Sequence, residues 1–152
     1  MKKFLVIISI LLISMTSFAS QYEWFIKETI KLTNKERNLR NIDSLKENKN
    51  LNKLAMKKAQ LMAKEGKLSH TAGGYKNFTD FLKSNNIEYW AAGENIALNQ
   101  KLPEQVIKDW MSSKGHRANI LNEKYTDIGV ARYTNPKTSD VYWVQIFIKE
   151  RD

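Results

Sequence analysis

Cysteine is absent from this chain of 152 residues. That excludes disulfides, a thiol nucleophile and a thiolate metal site. It also excludes lipid attachment to a cysteine behind a leader, so the domain must hold together by its core alone. Histidine is scarce, with only His70 and His116. Acidic residues are outnumbered, 16 against 25 Lys and Arg, which gives a formal charge of +9. Long apolar runs are missing after the N-terminus, so no later segment is long enough for a membrane helix. No nucleic-acid-binding motif is present, so nucleic acid is not an expected partner.

The one apolar run near the start, Phe4 to Ile13 with Ser9 inside it, is too short to span a bilayer. It follows Lys2 and Lys3 and precedes a stretch of small and polar residues, Ser14 to Ser20. This is the pattern of a signal peptide over residues 1–20. Residues 21–152 then form a single domain, exported to the periplasm, the cell surface or the medium. Loss of Lys2 and Lys3 lowers the charge from +9 to +7. Such a balance favours anionic partners such as lipid headgroups or wall polymers. The bases are scattered, and Lys53, Lys57 and Lys58 read as parts of a solvated helix surface.

Tyr22 to Leu39 has helical periodicity through Ile26, Ile30 and Thr33. Asn38 to Asn50 is polar and loop-like, with Leu45 as an anchor. Leu51 to Glu65 is a second helix, with Leu51, Leu54, Ala55, Ala59 and Met62 as its buried stripe and Gly66 as its stop. Leu68 to Tyr75 is a turn region. Phe78 to Lys83 suits one or two helical turns, and Ala91 to Leu98 a strand or an irregular segment. Pro103 opens another helix at the favoured first position, but Leu102 is a poor cap. Asp127 to Tyr133 and Val141 to Ile148 alternate as two strands of a hairpin. The second strand is apolar on both faces, so the sheet is covered on both sides. The fold class is therefore α+β, an antiparallel sheet between helices.

His70 and His116 lie in polar turns that follow helices. Between them, Gly93-Glu94-Asn95-Ile96-Ala97 places a carboxylate within an apolar stretch. A buried acid there requires a partner. Two imidazoles and a carboxylate are a donor set for zinc, or for acid–base work. The separation of the histidines carries little information, since no HExxH-like motif is present.

A more specific pattern appears in the order of the motifs. Asn34-Lys35-Glu36-Arg37 comes first, followed by Leu51 to Met62 and Leu68-Ser69-His70. Gly93-Glu94-Asn95-Ile96-Ala97 follows, and then Trp110-Met111-Ser112-Ser113-Lys114-Gly115-His116-Arg117-Ala118-Asn119-Ile120-Leu121. Ile128-Gly129-Val130 and Tyr142-Trp143-Val144-Gln145-Ile146-Phe147 close the series. In this order the chain resembles the bacterial CAP superfamily, named for cysteine-rich secretory proteins, antigen five and pathogenesis-related proteins. The resemblance runs from about Phe25 to Phe147. It implies a three-layer α-β-α sandwich with a central cleft that contains two histidines and two acids. His70 and His116 match the histidines, and Glu94 matches the first acid. The second acid usually stands where this chain has Ser113, a neutral residue and a poor base. Asn34, Arg37, Asn95 and Asn119 read as structural, and Trp110 and Trp143 as core.

Two functions are compatible with this. One is a non-catalytic binding module for a lipid, fatty acid or other amphipathic ligand, a property of several members of the family. The other is a weak metal-dependent hydrolase acting on peptides or cell wall, in which His70, His116 and Glu94 hold a metal such as zinc. The missing second acid and the absence of a nucleophile–base pair favour the first.

Overall fold

The computed structural model describes residues 2–151, and side chains from Ser20 onward. The side chains of the expected leader lie outside that part. Five helices and four strands occur in the order α1 (Lys2–Asn38), β1 (Lys46–Glu47), α2 (Lys49–Glu65), α3 (Phe78–Ser84), β2 (Tyr89–Leu98), α4 (Pro103–Ser112), α5 (Lys114–Ile120), β3 (Asp127–Thr134) and β4 (Val141–Glu150). The sheet has the order β1-β3-β4-β2. The β2–β4 and β3–β4 pairs are antiparallel.

β4 lies inside the sheet, and Val141 to Ile148 are all buried. Strand alternation sends its residues to two cores. Val141, Trp143 and Phe147 join Ile128, Val130 and Ala97 against Phe25, Ile26 and Ile30 of α1 and Val106, Ile107 and Trp110 of α4. Tyr142, Val144, Ile146 and Ile148 join Ile96 and Ala131 against the Leu51–Met62 stripe of α2 and Phe81 and Leu82 of α3. The three-layer sandwich follows from these two apolar faces.

Two elements depart from the sequence expectation. β1 pairs in parallel with β3, so the sheet is not wholly antiparallel. Its two polar residues carry no alternation. It is fixed instead by Lys46 N donating to Thr126 O at 2.9 Å and Asn48 N donating to Ile128 O at 2.9 Å. α5 replaces the polar turn expected around His116. Ser113 both ends α4 and begins α5, and its side chain makes no capping bond at either junction. α5 buries only Ile120 over seven residues, so no apolar period marks it in the sequence, although serine is a favoured N-cap type.

The other helix ends have clear causes. Asn48 Oδ1 accepts from Asn50 N at 3.0 Å and Leu51 N at 3.2 Å, capping α2. Leu102 cannot cap α4, and Gln105 Oε1 reaches back to accept from Lys101 N and Leu102 N at 2.8 and 3.3 Å. α2 packs on β3 without a gap at Gly129, where a Cβ would overlap the backbone of Leu51.

Candidate functional site

The candidate site is built on the middle of β2, where Glu94 pairs with Ile146 and Asn95 with Gln145. The Glu94 side chain is only 1% exposed, and its Oε1 lies 2.7 Å from Nδ1 of His70, whose ring is half exposed. The buried carboxylate thus meets a single polar partner on one oxygen. Its Oε2 has none among the described residues.

His70 sits in the turn after α2, and Lys58 holds that turn down. The Lys58 side chain is fully buried. Its Nζ donates to the carbonyl of His70 at 2.5 Å and stands 4.7 Å from the centre of the Phe81 ring. Burial pushes the Lys58 ammonium below its ordinary pKa, while the charges of Glu94 and Glu65 pull it back up. The expectation that Lys58 belongs to a solvated surface is corrected by this. The signal was available, because Lys58 falls seven residues after Leu51 and four before Met62, on the buried stripe itself.

His116 enters from α5 and is half-buried. Burial, and then the charge of His70, lower its pKa below 6.5. A network of amides fixes its backbone. Asn95 Nδ2 donates to His116 O and to Gln145 Oε1, both at 3.1 Å. Asn119 Nδ2 donates to Asn95 Oδ1 at 2.9 Å and to Glu94 O at 3.1 Å. Gln145 Nε2 continues to Thr33 Oγ1 of α1 at 2.8 Å. α5 is therefore tied to the strand that carries Glu94. Gly93 has the same origin, since a Cβ there would overlap the Tyr125 hydroxyl.

Asn34 and Arg37 lie away from the histidines. Asn34 grips Leu45 through both backbone groups, accepting from its N at 2.8 Å and donating to its O at 3.0 Å. Arg37 donates to Asp43 O, Ile120 O and Asn122 O at 2.7 to 2.9 Å. Both join α1 to the loops. Trp110 and Trp143 are buried, with their indole N–H groups on Ile96 O and Gln100 O.

Ser113 is half-buried at the α4–α5 junction. Its backbone N donates to Asp109 O and Trp110 O, both at 3.2 Å. It supplies no charge. Among the described residues, no three side chains of the His, Asp or Glu type form a metal-holding group. The Nδ1 of His70 faces Glu94, which leaves its Nε2 free for a metal, but no second carboxylate completes the set. The donors present do not fit a structural or catalytic zinc site as they stand.

Two of the concavities lined by α1 combine it with a second helix. One, of about 380 Å³ between α1 and α2, has Tyr22, Ile26 and Met56 as its apolar lining, with Glu23, Lys49 and Lys53 as its charged residues. The other, of about 350 Å³ between α1 and α4, combines Leu32, Ile107 and Met111 with two lysines and two glutamates.

The sandwich, with a buried Glu94–His70 pair on edge strand β2, is matched by a known family. The family model described as "CAP: Cysteine-rich secretory protein family" matches residues 30–147, and the chain belongs to that family. It is 41% identical over 133 residues to the uncharacterized protein YkwD of Bacillus subtilis, covering 88% of this chain and 50% of that one. Similarity to the uncharacterized membrane protein YlbC of the same organism is 29% over 123 residues, covering 81% and 34%. The chain thus spans half the length, or less, of these curated relatives. Among solved structures, an extracellular SCP-domain protein from Bacillus anthracis aligns with a TM-score of 0.76 at 26% identity, over 85% of this chain and 41% of that one. An outer surface protein of Borrelia burgdorferi aligns at 0.75 and 19% identity, over 82% and 92%, which shows the fold alone.

Proposed function

We propose that this protein is an exported, non-catalytic binding module for an anionic amphiphile, and that the α1–α2 groove receives the acyl chain. The observation that carries this reading is the groove itself. Tyr22, Ile26 and Met56 line it together with Glu23, Lys49 and Lys53. Lys49 is paired with Glu23 and Glu47, and Lys53 is the cation left for the head group. An apolar interior suits a chain, and a lysine suits a carboxylate or phosphate head. The α1–α4 groove is less suited, because Glu36 and Glu104 offset Lys35 and Lys108. Export is supported by the basic start and short apolar run of residues 1–20. It is also supported by the extracellular and outer-surface relatives.

The histidine cleft fits a structural or weak binding role better than turnover. Hydrolysis requires an oriented substrate and donors aimed at the developing oxyanion, and Ser113 removes the second acid. One observation favours the hydrolase as a second reading. The Glu94–His70 contact of 2.7 Å orients an imidazole, as a general base requires.

The test is titration of the exported protein with a long-chain fatty acid by calorimetry, beside a screen of peptide and peptidoglycan substrates. Saturable fatty-acid binding that Met56→Glu weakens at least tenfold, with no turnover, is the expected result. Robust turnover that disappears in His116→Ala would establish the hydrolase instead.

A further inference from the structure

At its N-terminal end, edge strand β2 carries an irregularity that the amphiphile reading does not use. Tyr89 pairs with Glu150 and Ala91 with Lys149, which leaves Trp90 as an extra residue in a bulge. A bulge re-aims the side chain it carries and is common beside functional sites. Here it leaves a tryptophan 63% exposed on an otherwise well-buried sheet. The guanidinium of Arg151 stands 4.7 Å from the centre of the Trp90 ring. This fixes the indole while most of its surface stays in water.

Arg151 also lines a cavity of about 320 Å³ together with Asn48, Asn50, Asn86, Glu88 and Glu150. It joins Trp90 to this cavity, and Trp90 itself stands outside the lining. A neighbouring cavity of about 350 Å³ shares Asn50, Asn86 and Ile87 with it and adds Lys53 and Lys57. The two make one polar groove between the start of α2 and the turn that joins α3 to β2. Both volumes fall within the range of small-molecule sites. Asn86 holds the turn in the left-handed region, with φ of 58°, and its N donates to Lys83 O at 3.0 Å.

The chemistry of this groove selects among ligand classes. Its charges are mixed, with lysines at one end and Glu88 and Glu150 beside Arg151 at the other. No single sign of ligand charge is favoured. Its amides each offer a donor and an acceptor, as hydroxyl and acetamido groups require. The indole presents an electron-rich face to weakly positive C–H groups. A ligand that is uncharged, rich in hydroxyls and flat on one C–H face is a sugar. We propose that the groove beside Trp90 is a binding site for a neutral oligosaccharide, with Trp90 as its stacking platform and Asn50 and Asn86 as its hydrogen-bonding residues. The proposal stands independently of the amphiphile groove and of the histidine cleft.

The experiment titrates the full exported chain with two uncharged probes, chitotetraose and cellotetraose. Indole N–H resonances and tryptophan fluorescence are followed for the wild type, Trp90→Ala, Trp90→Phe and Asn86→Gly. Glycine keeps the left-handed turn and removes only the amide. The expected result is saturable binding of at least one probe, with the Trp90 indole resonance shifted. Trp90→Ala should weaken binding at least tenfold, Trp90→Phe should keep part of it, and Asn86→Gly should weaken it severalfold. Unfolding midpoints should stay close to the wild type. Absence of saturable binding by both probes at millimolar concentration would overturn the proposal. So would binding that is unchanged in Trp90→Ala, or a Trp90-dependent affinity for anionic vesicles in place of sugars.

Discussion

An imidazole that loses solvent and faces a second imidazole takes up a proton less readily. His116 meets both conditions, and its pKa is lowered from 6.5. It is expected to titrate below 6.5 by NMR, and His70→Ala should move its midpoint upward. The sign for stability follows from the same shift. The folded state resists the proton more than the unfolded chain does. Above the unfolded value His116 is neutral in both states and has no effect. As pH falls through that value the fold loses stability, until the folded pKa is passed. A His116 midpoint above 6.5 would contradict the desolvated environment. Lys58 gives a second residue-scale prediction. Lys58→Met keeps much of the buried stem but leaves the His70 carbonyl without its donor and Glu94 without a nearby positive charge. A loss of about 1–3 kcal/mol is expected from urea unfolding. An unchanged midpoint would show that the ammonium does not hold the His70 turn. The sequence pointed to His70, Glu94 and His116 through ordered motifs. Lys58 is less legible, because a lysine suggests a solvated surface while only the helical period places it inside.

At the scale of elements, the sandwich depends on close approach of α2 to β3. Gly129 makes that approach possible, and any Cβ there meets the Leu51 backbone, which cannot rotate away as a side chain could. Gly129→Ala should therefore cost about 1–3 kcal/mol, the usual range for overpacking, and lower the thermal midpoint. Retention of wild-type stability would mean that α2 can lift from the sheet at little cost. The helices and hairpin were legible because their apolar periods are strong, as in the Leu51–Met62 stripe and the doubly apolar Val141–Ile148. β1 and α5 were not. A two-residue strand has no period, and α5 has none either, since it is seven residues with a glycine inside and buries only Ile120. The polar network of Asn95, Asn119 and Gln145, which fixes α5 to the sheet, joins residues far apart in sequence, so their partners were not readable there.

For the whole molecule, the histidine cleft, the α1–α2 groove and the polar groove beside Trp90 have different chemistry. The cleft has one buried acid, the α1–α2 groove an apolar interior with lysines, and the third groove amides with an exposed indole. Fold membership alone does not choose among functions for them. The proposal that the α1–α2 groove holds the physiological ligand is tested most directly by native mass spectrometry of protein recovered from its own host. The predicted spectrum shows a mature chain beginning at Ser20 or Gln21, with an anionic amphiphile retained by the wild type and lost from Met56→Glu. A ligand-free chain, or the same amphiphile retained equally by Met56→Glu, would contradict it.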